Sequence, residues 1–255
     1  MKKYWGIVGV GLLLLVVFIG ISWSQVTEKQ SYLTTEEQTD FWLITDPHFL
    51  APSLHDDGEA FQFIQSTAAG KDLRYQEESL TAFVDQALTA KPTGIIITGD
   101  LTLNGEKVSA EKLAEILAPL EKANIPVLCI PGNHDIYDGW ARSFAGDQQN
   151  VVASITPDDF KNLFPDGFTQ AASSDPDSLS YTINLNQTYR LFFLDTNIYS
   201  EANSSSQPTT NGVITDNSLE WLTEQLQVAK DEGQTPVVFM HHNLYMYYWS
   251  NGHKV

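Results

Sequence analysis

The chain has 255 residues, of which 42% are hydrophobic, enough for one large domain with a sizeable core. Its 14 Lys and Arg stand against 32 Asp and Glu, a net charge of −18. So acidic a protein is excluded as a general binder of nucleic-acid polymers, which needs basic surface; an anionic substrate would need local positive charge, and bound metal ions can supply it.

Met1-Lys2-Lys3 is a short basic head, and residues 4–23 then run for 20 residues without a charge. An apolar helix at the very start of a chain reads as an export segment. For residues 1–24 two readings stay open. One is a signal peptide cleaved at the small-x-small pattern Ser22-Trp23-Ser24. The other is a transmembrane anchor through residues 4–23. Lys2 and Lys3 stay inside in either case. The rest of the chain is then expected outside, anchored to the cell membrane or secreted. Residues 25–39 are polar and read as a linker, and residues 40–255 as the functional domain. Cys129 is the only cysteine, so no internal disulfide can form; between Leu128 and Ile130 it reads as a buried strand residue.

Phe41-Trp42-Leu43-Ile44 is a short apolar strand. A long loop is expected from Phe49 to about Arg74, with His55-Asp56-Asp57 as solvated loop charge. Leu80, Phe83, Val84, Ala87 and Leu88 have helical spacing and predict a helix over about 77–89. Gly94-Ile95-Ile96-Ile97-Thr98 is a second strand. Leu113, Ile116, Leu117 and Leu120 mark a second helix, bent or ended by Pro119. Ile125 to Ile130 is a third strand. This βαβαβ order implies parallel strands covered by helices. Thr156-Pro157-Asp158-Asp159 reads as the start of a short helix. Residues 179–185 and 189–194 read as a hairpin, its second strand buried on both faces. Residues 201–211 read as an exposed loop. Asp216 or Asn217 is expected to cap a helix bearing Leu219, Leu222 and Leu226 on one face. Pro236-Val237-Val238-Phe239-Met240 is the last strand.

Four of these strands hand chemistry to the loop that follows. The first ends in Thr45-Asp46-Pro47-His48, the second in Gly99-Asp100, the third in Pro131-Gly132-Asn133-His134-Asp135, and the last in His241-His242-Asn243. Any one alone could be a polar turn, since Asn and Asp are turn formers. Carboxyl ends of parallel strands are also where open α/β sheets place their ligand sites.

The ordered set Asp-x-His, Gly-Asp, Gly-Asn-His-Asp and Val-x-x-His resembles the calcineurin-like metallophosphoesterases over about residues 40–243. The resemblance implies an α/β fold, an α-β-β-α sandwich of mixed sheets flanked by helices. It also implies two metal ions, Fe, Mn or Zn, with Asp46 and His48 on the first, Asp100 bridging, and Asn133 and His241 on the second. His134 would contact the phosphate or protonate the leaving group, and Asp135 would orient it. His242 is read either as a group hydrogen-bonding near the site or as a packed structural residue. The implied reaction is hydrolysis of a small-molecule phosphoric ester by a hydroxide bridging the metals. The stretch from Gly99 to Glu106, with His48, resembles the branch that includes cyclic nucleotide phosphodiesterases. The alternatives are a phosphomonoesterase or nucleotidase of the same family, or an anchored ectodomain without catalysis. One departure is noted: the family's later Gly-His-x-His motif is not found before Val255. His253 reads as a loop residue, and the domain as truncated, with five of the expected ligands.

Overall fold

Three short parallel strands carry the donor-bearing loops. They are β1 (Phe41–Ile44), β2 (Gly94–Thr98) and β3 (Val127–Ile130), side by side in that order. The structure is a computed structural model that describes residues 31–68, 71–136, 139–198, 210–244, 249–250 and 253–254. The chain divides into the units Met1–Ser31 and Tyr32–Val255, and every element named here lies in the second.

The helices α1 (Glu59–Thr67), α2 (Gln76–Ala90) and α3 (Lys107–Lys122) fall between these strands in sequence. Strand side chains alternate between faces. Ile95, Ile97, Val127 and Cys129 therefore join Leu80, Val84, Leu113, Leu117 and Leu120 in one core. Ile96, Leu128 and Ile130 join Tyr181, Ile183, Leu191 and Phe193 in another. Each fully buried side chain of this size contributes about 1.5–3 kcal/mol.

The chain then builds a hairpin from β4 (Arg142–Ala145) and β5 (Gln148–Val151), and two short helices, α4 (Pro157–Leu163) and α5 (Asp166–Thr169). A second sheet follows, of β6 (Ser173–Ser174), β7 (Tyr181–Asn184), β8 (Tyr189–Leu194) and, after α6 (Asp216–Asp231), β9 (Thr235–Met240). Its order is β6-β7-β8-β9, antiparallel except for the parallel pair of β8 and β9. Tyr181 joins the two sheets: its ring stacks on Phe193, and its hydroxyl donates to the Cys129 carbonyl at 3.0 Å. On the far side α6 packs against β9, and Trp221 donates to the Ser173 hydroxyl. Helices, sheet, sheet and helix form the expected α-β-β-α layers.

Several expectations need correction. The long loop after β1 contains a 3-10 turn, Pro52–Leu54, and α1, whose Ala60 and Phe61 are buried. Ala60, Phe61 and Ile64 form its apolar stripe, a pattern that the sequence reading passed over. His55 stacks on Phe61, and Asp56 accepts from the Gly58 and Gly146 backbones, so two of these three residues are structural. Pro119 sits in the last turn of α3 without ending it, because a missing N–H there costs one bond at most. Thr215 caps α6 by accepting from Ser218 N. The face of α6 that docks carries Ser218, Trp221 and Ala229, while Leu219 and Leu226 are exposed. His253 stands in a two-residue strand, β11 (His253–Lys254), antiparallel to β10 (Trp249–Ser250). Residues 1–24 and most of the 201–211 loop lie outside the described residues. Among the described residues no helix is long and apolar enough to cross a membrane.

Candidate metal centre

Pairing between β1 and β2 continues past the strands into the loops. Asp46 N donates to Gly99 O at 3.1 Å, His48 N to Asp100 O at 2.9 Å and Phe49 N to Leu101 O at 2.9 Å. Held this way, Asp46, His48 and Asp100 all adopt left-handed backbone, with φ of 53°, 46° and 50°. That conformation costs about 1–2 kcal/mol per non-glycine residue, and the continued ladder sustains it. Two glycines make room. A Cβ on Gly99 would lie 2.6 Å from His241 Nδ1, and one on Gly132 would lie 2.2 Å from Asp100 Oδ1.

The side chains converge on Asp100, which is buried. Its Oδ2 lies 3.3 Å from His48 Nε2, and its Oδ1 lies 3.5 Å from His241 Nε2. Asp46 Oδ1 is 3.7 Å from the same His48 nitrogen. Asn133 Oδ1 is 3.1 Å from His241 Nε2. One ligand atom each from Asp46, Asp100 and His241 falls within 4.8 Å of the others. All five predicted donors therefore meet at the carboxyl ends of β1, β2, β3 and β9.

The tautomer of His241 decides what this cluster lacks. Its Nδ1 lies 2.9 Å from the Thr98 carbonyl, which can only accept. A proton on Nδ1 serves that bond, which leaves Nε2 as the nitrogen turned to Asp100 Oδ1 and Asn133 Oδ1. Oxygen and nitrogen ligand atoms gathered this way in a largely buried site suit a bound cation. Separations of about 3 Å suit ligands around an ion at about 2.0–2.2 Å. A carbonyl on the outer nitrogen of a histidine is also how metal-binding rings are commonly oriented. The donor set fits bound metal, with one Asp100 oxygen turned to His48 and the other to His241.

Electrostatics agree with this reading. Burial, and next the Asp135 charge, push Asp100 up to about 7. Burial, followed by the Lys71 charge, pushes His48 down to about 3, so its ring is neutral as a ligand must be. His134 is pushed down to about 4 by burial first and Lys71 second.

The loop residues differ from expectation in one respect. Asp135 does not orient His134. Its Oδ2 accepts from Leu101 N and Gly132 N, and its Oδ1 from Thr102 N and the Thr102 hydroxyl. It is a buried brace for the β2 and β3 loops. His134 Nδ1 instead meets Asn104 Oδ1 at 3.0 Å, and His134 N donates to Asp100 Oδ1 at 2.9 Å. Asn104 is held by Glu106, whose Oε2 accepts Asn104 N at 3.0 Å. His242 packs edge-on against His241 with its Nδ1 2.7 Å from the Thr196 hydroxyl. It stands behind the donor set.

Three participants had no role assigned in the sequence reading. Asn104 had a weak signal, an Asn-Gly pair whose glycine has φ of 73°. Gln76 had none: its Oε1 accepts Leu50 N, and its Nε2 donates to the carbonyls of Pro47 and His48. Asn197 had none either: its Nδ2 donates to Pro131 O, tying the end of β8 to the loop after β3. A cavity of about 480 Å³, lined by Lys91, Thr93, Glu121, Pro126 and Asp166, lies at the amino ends of β2 and β3, the opposite end of the sheet.

The chain is similar to known proteins in sequence and in fold. The chain is 28% identical over 199 residues to a glycerophosphodiester phosphodiesterase, GpdQ, of Enterobacter lignolyticus, covering 78% of this chain and 55% of that protein. It is 24% identical over 213 residues to a probable cyclic nucleotide phosphodiesterase of Psychrobacter arcticus, covering 83% of this chain and 62% of the relative. The chain thus spans little more than half the length of these curated relatives. A dimetal phosphatase from Danio rerio has the same fold, with a TM-score of 0.52 over 80% of this chain and 69% of that one, at 14% identity. The profile of the calcineurin-like phosphoesterases matches residues 39–255, across all four strand ends that meet at Asp100, and the chain belongs to that family.

Proposed function

We propose that this chain is a metal-dependent phosphodiesterase acting on small phosphodiesters, of the cyclic nucleotide or glycerophosphodiester kind. The observation that carries the reading is Asp100: one buried carboxylate whose two oxygens point to two separate donor sets. Asp46 and His48 would hold one ion with Asp100, and Asn133 and His241 the other. Such a pair supplies Lewis acidity toward phosphoryl oxygens and makes water nucleophilic at neutral pH. The chain's own residues supply placement. His134, with its ring held by Asn104, stands beside the donors to contact the phosphoryl group and assist the departing alkoxide. Asp135 keeps the loops that carry Asp100 and Asn133 in register. A diester is favoured over a monoester because both curated relatives are named as phosphodiesterases.

The test is a rate comparison on the manganese-loaded protein. A chromogenic diester, 2′,3′- and 3′,5′-cyclic nucleotides and glycerophosphodiesters should be cleaved faster than p-nitrophenyl phosphate, and chelator should stop all of them. His134→Ala should keep its metal and lose about two to four orders of magnitude in turnover on a poor leaving group. Preference for the monoester would move the assignment to a phosphomonoesterase. No hydrolysis by fully loaded protein would favour the non-catalytic alternative.

A further inference from the structure

We propose that Asn104 is a positioning residue for His134: its amide oxygen holds a proton on Nδ1 of that ring, so that Nε2 is the nitrogen that gives a proton to the departing oxygen of the ester. The inference rests on the phosphoesterase reading and says how the site aims its proton donor. The contact that carries it is the 3.0 Å from Asn104 Oδ1 to His134 Nδ1. An amide oxygen can only accept, so the hydrogen in that contact belongs to the ring. The bond made by one ring nitrogen sets where a neutral ring keeps its proton. Neutral His134 is then protonated at Nδ1, and Nε2 carries the lone pair.

Asn104 suits the task because its turn is pinned on every side. It is buried, and its N–H donates to Glu106 Oε2 at 3.0 Å. Gly105 follows with φ of 73°, and a Cβ there would lie 2.4 Å from Asp135 O. Gly105 N donates to the Thr102 hydroxyl at 3.0 Å, and Gly105 O accepts from Ile155 N at 3.0 Å. The Thr102 hydroxyl in turn donates to Asp135 Oδ1 at 2.8 Å. Asp135 thereby supports the ring at second hand, through the turn that carries Asn104. His134 is fixed from its own side as well. Its N–H donates to Asp100 Oδ1 at 2.9 Å, and its ring stands edge-on to that of His48, with centroids 5.1 Å apart. Ring and backbone are both held beside the donor set.

A neutral acceptor at Nδ1 fits this chemistry. A ring protonated on both nitrogens gives the Nε2 proton to the leaving oxygen as the P–O bond to that oxygen breaks. The alcohol departs with the proton, and the ring returns to neutral with its remaining proton on Nδ1, the form that Asn104 Oδ1 holds. Water restores the Nε2 proton before the next turnover. A carboxylate at Nδ1 would hold the cation more tightly and make the same transfer harder. The amide fixes direction without adding that charge.

Two measurements on the full chain test the proposal. The first needs no activity. Two-bond proton–nitrogen correlation spectra of isotope-labelled histidine, on metal-free and zinc-loaded protein, should show neutral His134 protonated at Nδ1, and Asn104→Leu should lose that preference. A wild type with the proton on Nε2 overturns the assignment. The second is steady-state kinetics on manganese-loaded protein. Asn104→Leu should lower kcat on a glycerophosphodiester by about ten- to a hundredfold, a share of what His134 itself supplies, with KM within about threefold of wild type. The loss should be about tenfold smaller on bis(p-nitrophenyl) phosphate, whose leaving group departs without a proton. In a His134→Ala background Asn104→Leu should add less than about twofold. Asn104→Asp keeps an acceptor and should recover most of the loss. Equal losses on both esters, or the same loss with and without His134, would make Asn104 a packing residue and overturn the proposal. A wild type that holds manganese and the Nδ1 proton yet cleaves no diester overturns the phosphoesterase reading and the proton transfer with it, and not the hold of Asn104 on the ring.

Discussion

Glu106 is a buried acid with an incomplete set of partners. Its Oε2 accepts from Asn104 N, its Oε1 has no hydrogen-bond partner among the described residues, and the like-signed Asp135 charge adds to the cost of ionising it. Burial raises it from 4.5 to about 7. The folded state therefore keeps a proton that the unfolded chain has released between those two values. Stability falls as pH rises through that window, and the full cost, on the order of 3 kcal/mol, applies above pH 7. Glu106→Gln removes the titration while keeping an acceptor for Asn104 N. The melting temperature of the variant minus that of wild type should grow by several degrees from pH 5 to pH 8. A difference that stays flat across this range would show that Glu106 is ionised in the fold at no cost.

The same scale shows what could be read in advance. Asp46, His48, Asp100, Asn133 and His241 were legible because each follows an apolar strand, where a side chain has one direction to take. The partner of His134 was not. Asp135 is adjacent in sequence, but its carboxylate is consumed by backbone donors, and the amide that reaches the ring comes from Asn104 across the sheet. Adjacency along a turn does not decide which of two nearby polar groups faces a ring.

Among the elements, the strand ends act as fixed points and α2 as a clamp. Gln76 stands at the first position of α2 and satisfies Leu50 N, Pro47 O and His48 O together. The strained loop of Asp46 and His48 is held from this side by the clamp and from the other by the Gly99 and Asp100 carbonyls. Gln76→Leu should leave three backbone groups unmatched, and the two buried ones, Leu50 N and His48 O, cost about 1–3 kcal/mol each. Manganese affinity should then drop roughly tenfold or more, beyond any loss of stability. A lower melting temperature with unchanged manganese affinity would make Gln76 a packing residue only. Strand periodicity and helical spacing were enough to read β1 to β3, α2 and α3. The leucines of α6 misled because a helix with two apolar stripes docks by whichever one fits, here that of Trp221 and Ala229. Nothing in the spacing of Leu219 and Leu226 encodes that choice.

At the scale of the molecule, two sheets face each other across Ile96, Leu128, Ile130, Tyr181 and Phe193, and both contribute to one centre. β1, β2 and β3 bring four donors, and β9, from the other sheet, brings His241. Among the described residues β9 is paired on one side only, with β8, and its Val238 is exposed. The position of His241 therefore depends on the packing of the two sheets and on its contacts with Thr98 O in β2 and Asn133 Oδ1. The account's central claim is that Asp100 joins two ion sites into one centre. The most direct measurement is the manganese count per chain by native mass spectrometry, on wild type, Asp100→Asn, His48→Ala and Asn133→Ala. Two ions in wild type, one in each of His48→Ala and Asn133→Ala, and loss of tight binding at both sites in Asp100→Asn are the predicted results. Two ions retained by Asp100→Asn would contradict the claim.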